Sequence, residues 1–325
     1  MQGVDRLGIT VPFPGVPLAE HRSWFAASVA AGYTDAWSAE VAGTDGFTPL
    51  ALAAAWEPGL RLGVAIVPAF TRGPALLAQS VAAMAEAAPG RFAFGLGTSS
   101  EVIVEKWNGI PFDRPYERVR DTLAFLRLAL AGERVTCDFE TFSVREFCLS
   151  RPLPAPPPLY LAALRPGMLR LAGSEADGVI LNWLSADDVA RSLAEVRAGA
   201  RARGGAFEVV TRIFVVPEPD AAVARSLARR MIASYLTVPA YAAFHRWLGR
   251  APMLQGMWDA WEAGDRKAAL AAIPDEVVDA LVVHGEPEDC RAHVARYVER
   301  GVTLPVLMVL TAERDLREAV LALGA

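Results

Sequence analysis

Cysteine and histidine are scarce in this chain, with three and four copies in 325 residues. Cys137, Cys148 and Cys290 form no cluster with ligand spacing, and an odd number of thiols in a long chain argues against a disulfide framework. They read as buried thiols. His21, His245, His284 and His293 lie far apart, and none belongs to an H-E-x-x-H pair, so no metal site is expected. Basic blocks are missing too. The 32 Lys and Arg against 37 Asp and Glu leave a net charge of −5, without the positive footprint of a nucleic-acid binder. No segment approaches a membrane-spanning length free of charge or proline, and the opening MQGVDRLGIT lacks the basic and apolar regions of a secretory leader. These absences predict a cytoplasmic protein with a small-molecule substrate and neither a membrane nor a nucleic-acid partner.

What is abundant is apolar residue, at 53% of the chain, enough for a large core. Short apolar runs alternate with amphipathic stretches. RLGITV, DAWSAE, LRLGVAIVPAF and RFAFGLG read as the first four strands, nearly continuous in apolar residues, as expected where helices cover both faces of a parallel sheet. A helix opened by Asp113 and Pro115 ends at Gly132. TCDFETFSVREFCLS alternates like a hairpin or irregular insert. LYLAAL, ADGVILNW, FEVVTRIFVVP and LPVLMVL then supply the fifth to eighth strands. About eight βα units with no linker predict an α/β fold, a TIM (β/α)8 barrel over residues 1–325 as one domain. Between the seventh and eighth strands, at about 220–283, lies a helical insertion rich in Trp, Tyr and Met, placed to pack on the outer helices or to cover the barrel mouth.

The fourth strand ends in an unusual way, as GRFAFGLGTSS over residues 90–100. Three accounts compete. Gly95 and Gly97 could serve a tight turn whose hydroxyls cap the next helix. They could open a dinucleotide fingerprint, but Ser100 replaces its third glycine and no acid follows at the expected distance. Or they could make a cofactor or phosphate seat, where backbone N–H groups reach an anion because no side chain intervenes.

The segment RFAFGLGTSSEVIVEKWNGIPFDRPYERVRDTLAFLRLALAGE resembles the luciferase-like monooxygenase superfamily, and within it the coenzyme F420-dependent, deazaflavin-using oxidoreductases. PLYLAALRPGMLRLAGSEADGVILNWLS and VVHGEPEDCRAHVARYVERGVTLPVL resemble it as well, so the likeness covers nearly the whole chain. It implies hydride transfer between the deazaflavin C5 and a small organic substrate, and a homodimer. An FMN-dependent monooxygenase of the same superfamily and a non-catalytic flavin-binding protein are the alternatives.

The resemblance also implies a site. Gly97, Thr98 and Ser99 would border the deazaflavin and its ribityl phosphate arm. A non-prolyl cis peptide would join Ala65 and Ile66 under the ring. The fifth-strand end, from Ala162, Ala163 and Leu164 through Arg165 to Gly167 and Met168, resembles the family's phosphate seat. Arg165 stands where the family has a small residue, and would contact phosphate or an acidic tail. Asn182 and Thr10 would add polar groups from the sixth and first strands. For proton transfer, the family's acid after strand four falls on Ser100, with Glu101 next to it. Its acid-histidine pair after strand two reads Glu40 and Val41. Loss of that histidine argues against sugar-phosphate dehydrogenation. Glu40 is the leading acid-base candidate, in a poorly hydrated mouth, or else a salt-bridge partner across it; Glu101 is its rival.

Overall fold

The computed structural model describes residues 5–200 and 206–324. Its strands are β1 (Gly8–Val11), β2 (Asp35–Ser38), β3 (Arg61–Pro68), β4 (Phe92–Gly97), β5 (Val135–Asp138), β6 (Ser143–Phe147), β7 (Leu159–Ala162), β8 (Gly178–Asn182), β9 (Glu208–Val216), β10 (Val282–His284) and β11 (Leu304–Val309). Parallel pairing runs β1–β2–β3–β4–β7–β8–β9–β11 and returns from β11 to β1, closing an eight-stranded TIM barrel. β5 and β6 pair as an antiparallel hairpin outside it. Each barrel strand matches one of the apolar runs, because both of its faces are covered. Val282–His284 was expected within the helical insertion. It instead pairs in parallel with β9, a three-residue strand too short for its period to be read from sequence.

Large side chains fill the barrel interior where glycine makes room for them. Trp37 from β2 and Tyr160 from β7 stack with centroids 6.2 Å apart. A Cβ at Gly63 would lie 2.4 Å from the Trp37 ring, and one at Gly178 would lie 2.8 Å from Tyr160. Each aromatic removes roughly 150–250 Å2 from water, worth about 4 to 6 kcal/mol at most. At the N-terminal end of the barrel, Arg6 is clamped between Asp35 at 2.6 Å and Glu208 at 2.5 Å.

After β9 come the helices Ala221–Leu236, Pro239–Trp247, Ala251–Glu262, Arg266–Ala271 and Asp275–Leu281. Their apolar faces form a second core of Ile232, Leu236, Leu254, Met257 and Val278, joined to Trp183 and Phe214 of the barrel. Trp183 follows β8 and lies 4.1 Å from the Phe214 ring and 4.9 Å from that of Tyr235. The helical segment therefore meets the C-terminal mouth through aromatic contacts. Among the described residues, no helix is long and apolar enough to cross a membrane, and no group of three or more His, Cys, Asp or Glu could hold a metal ion. The thiols differ from expectation: Cys290 is buried, Cys137 half-buried and Cys148 exposed on the hairpin side.

Candidate functional site

The bottom of the mouth is shaped by β3. Its register with β4 shifts between Val64 and Val67, and the Ala65–Ile66 peptide is cis, as the resemblance implied. Ala65 and Ile66 are half-exposed between two buried valines. The Ile66 carbonyl accepts a hydrogen bond from the Glu40 N–H at 3.1 Å, tying the loop after β2 to this bulge. The two glycines of GRFAFGLG answer to different neighbours. A Cβ at Gly95 would meet the Val64 carbonyl oxygen at 2.2 Å, so this glycine lets β4 pass the β3 backbone. A Cβ at Gly97 would meet Ile66 Cγ1 at 3.0 Å and Ala162 Cβ at 3.2 Å, so this glycine keeps the top of the mouth open. Beyond it, Thr98 donates to the Ser99 carbonyl at 3.2 Å, and Ser99 adopts a left-handed φ of 63°. Ser100 Oγ accepts from the Ile103 N–H at 3.4 Å, a long contact at the start of the widened helical turn Val102–Trp107. Hydroxyl capping and a bare cradle thus coexist in one segment.

Across the mouth, β7 ends in half-exposed Ala162 and buried Ala163 and continues through Leu164 into the helix Pro166–Glu175. Arg165 caps that helix with extended backbone, and its exposed guanidinium has no ion pair among the described residues. Gly167 is exposed in the first turn, where an added Cβ would find only the Tyr116 ring, at 3.9 Å. Met168 lies half-buried behind it. A cation and the uncrowded backbone of Gly167 at the start of a helix form an environment suited to an anion.

The two candidate carboxylates differ sharply. Glu40 is largely buried and takes Arg72 Nη1 on both oxygens at 2.6 Å. It also accepts from the Gly46 N–H at 3.0 Å and from Thr71 at 3.4 Å. This is the salt-bridge geometry, and it occupies the lone pairs that proton transfer would need. Glu101 stands more than half-exposed beside Lys106, at 3.6 Å, so the loop does not bring it inward.

Two groups with no place in the sequence reading, Trp37 and Arg212, face the barrel interior below the mouth. Trp37, Arg212 and Thr10 line one small cavity with Ala65 and Ile180. Arg212 lies in register with Asn182. Asn182 donates through Nδ2 to the Tyr241 hydroxyl at 3.0 Å, so a tyrosine of the helical segment reaches the end of β8. Burial pushes the Tyr241 phenol up to about 12, while Arg212 nearby pulls in the opposite direction. The sequence did carry a signal for Arg212: period-two alternation in β9 puts it on the same face as Val210 and Phe214, which point inward.

Beside the mouth, Arg250 pairs with Asp188 at 2.8 Å, and buried His245 lies close to this pair. Burial, reinforced by Arg250, pushes the imidazole down to about 4. The folded state therefore prefers neutral histidine, and its stability is expected to fall as pH drops through 6.5 toward 4, where the unfolded chain takes up the proton first. Between pH 7 and 4.5 the cost is about 2 to 3 kcal/mol. Urea unfolding at both values should show the wild type losing that much more stability than His245→Gln; equal losses in the two proteins would assign the pH dependence elsewhere.

The fold is a TIM barrel with a glycine-lined mouth at the C-terminal ends of its strands. The family model for luciferase-like monooxygenases matches residues 6–304. The chain belongs to that family, and it is an oxidoreductase. It is 28% identical to a Mycobacterium tuberculosis protein provisionally named a coenzyme F420-dependent oxidoreductase, over 97% of this chain and 99% of that protein. It is 27% identical to the 5,10-methylenetetrahydromethanopterin reductase of Methanolobus tindarius, over 80% of each. In shape it matches the coenzyme F420-dependent tetrahydromethanopterin reductase of Methanopyrus kandleri, with a TM-score of 0.80 and 19% identity, covering 98% of this chain and 97% of that one.

Proposed function

We propose that this chain is a coenzyme F420-dependent oxidoreductase that transfers a hydride between the deazaflavin and a small organic substrate, acting as a cytoplasmic homodimer of single-domain subunits. The observation that carries the reading is the cradle at the mouth: Ala65 and Ile66 stand half-exposed, and across from them Gly97 leaves a gap that a Cβ would close against Ile66 and Ala162. A flat ring needs such a surface, and coenzyme F420 is named for one relative and one structural neighbour.

In this reading Ala65, Ile66, Gly97, Thr98 and Ser99 hold one edge of the ring and its ribityl arm. Ala162, Ala163, Leu164, Gly167 and Met168 shape the phosphate seat, where helix Pro166–Glu175 begins and Arg165 supplies a positive charge with no ion pair among the described residues. Thr10 and Asn182 offer polar groups from below, and Ser100 closes the loop. When bound, the coenzyme supplies the two-electron chemistry at its C5. Glu40, held by Arg72, fixes the loop that buttresses the Ile66 carbonyl and is a positioning residue; Glu101 remains in solvent.

The test is thermal protection of the purified protein. Oxidised F420 at 100 times its dissociation constant should stabilise the fold by about 2.7 kcal/mol, and FMN at the same concentration should protect far less. Protection by FMN alone would move the chain to the monooxygenase branch. Protection by F420 without any turnover across quinones, enones and imines would make it a binding protein.

A further inference from the structure

We propose that Arg212 is the seat of an anionic oxygen of the substrate, so that the compounds this enzyme reduces or oxidises carry a carboxylate or an equivalent anion. The inference deepens the oxidoreductase reading, and rests on it only in calling the anion a substrate.

Arginines in the other half-buried positions around the barrel are matched. Arg6 has Asp35 and Glu208, Arg72 has Glu40, and Arg250 has Asp188. Arg212 makes no hydrogen bond and no ion pair among the described residues; its guanidinium lies 5.1 Å from the Phe214 ring and near the Tyr241 phenol, and its Nε is buried without an acceptor. The nearest acid along its own strand, Glu208, faces the same interior but sits four residues earlier, roughly 13 Å away at 3.3 Å per residue, and is held by Arg6. A charge left inside a protein without a partner is costly, which makes an orphaned guanidinium in a mouth a marker of a partner that arrives from outside.

The surroundings are built to complement an anion with an apolar body. Thr10 and Trp37 sit around the same cavity as Arg212, are at most 8% exposed, and have side-chain donors, Oγ1 and Nε1, that lack acceptors. Tyr241 already accepts from Asn182, which leaves its hydroxyl proton available, and burial keeps it a phenol. Three donors thus line the cavity with no acid among its lining residues, and the Tyr241 hydroxyl stands nearby on Asn182. The cavity has a volume of about 10 Å3, the space of about one water, so it can take an oxygen but not a ring. The remaining lining is Ala39, Ala65, Ile180, Val210 and Val306, which are apolar, and Ser38, whose hydroxyl already donates to the Gly46 carbonyl. The ligand's carbon skeleton therefore extends upward, toward the cradle. A guanidinium fork suits a carboxylate, which it can grip through two parallel N–H donors.

Calorimetric titration with cinnamate and with its neutral isostere cinnamamide tests this without a known substrate, on the protein with and without F420. Wild type should bind cinnamate at least tenfold more tightly than cinnamamide, with the preference shrinking between 50 and 200 mM salt. Arg212→Gln should bring the two within about twofold, and Arg212→Lys should recover part of the preference while losing the fork. Equal binding of the two probes to wild type, failure of cinnamate to bind at millimolar concentration, or an undiminished preference in Arg212→Gln would each overturn the proposal. So would a variant that binds cinnamate normally but binds reduced F420 weakly, since the cation would then serve the coenzyme ring. Loss of F420 binding by wild type alongside an intact cinnamate preference would remove the coenzyme reading and leave the anion seat standing.

Discussion

Gly95→Ala is expected to cost this protein about 3 kcal/mol or more of stability, at the upper end of overpacking penalties. The added methyl would sit 2.2 Å from the Val64 carbonyl oxygen and 2.5 Å from Ile180 Cδ1. Ile180 can rotate away, but Val64 cannot: its neighbours pair with β2 on one side and β4 on the other, and its carbonyl belongs to the barrel wall. Relief would require two strands to separate just below the bulge. Gly97→Ala provides the contrast. Its methyl would meet only side chains, with Ile66 Cγ1 the nearest at 3.0 Å, so stability should change by less than about 1 kcal/mol while protection by F420 is lost. Urea midpoints and melting curves with and without coenzyme separate the two effects. A Gly95→Ala protein that unfolds at the wild-type midpoint would show that the strands yield where the packing says they cannot.

The second large effect concerns Glu40 and Arg72. Both side chains are more than four-fifths buried, at 16% and 17% exposure, and Arg72 also lies over the Phe47 ring at 5.0 Å. Removing one member leaves the other charge without its counterion, a loss of about 3 to 5 kcal/mol for pairs of this kind. Arg72→Met should approach that value. Glu40→Gln should cost somewhat less, since the amide keeps a hydrogen bond. The double variant should be more stable than the sum of the single losses predicts, with a coupling of at least about 1 kcal/mol in a thermodynamic cycle. Because Glu40 also ties its loop to the Ile66 carbonyl, F420 affinity should fall together with stability. A different result, roughly 100-fold slower turnover in Glu40→Gln at unchanged stability and unchanged coenzyme affinity, would make this carboxylate the proton carrier.

The order of elements was legible in the chain because its causes are local. A strand buried on both faces must be a short apolar run, an amphipathic helix must repeat at about 3.6 residues, and glycine or proline must mark the turns between them. RFAFGLG, LYLAAL and ADGVILNW could be placed on these grounds, and their order implied a barrel with its site at the ends of its strands. Even the glycines of GRFAFGLG stood out, although which residues each of them accommodates did not. Those neighbours come from elsewhere in the chain: Val64 and Ile66 from β3, Ala162 from β7, and Ile180 from β8.

Pairings across the barrel were decided only when it closed. Arg72 follows Glu40 by 32 residues, and nothing in either segment names the other. Tyr241 reaches Asn182 across 59 residues, and Arg212 comes level with Asn182 through the β8–β9 register. Register sets which side chains share a layer and which charges meet, and it is a property of the assembled sheet, not of any one strand. That is why a carboxylate expected to stand ready for proton transfer is held in an ion pair, while Arg212, inside an ordinary-looking strand, has no ion pair among the described residues.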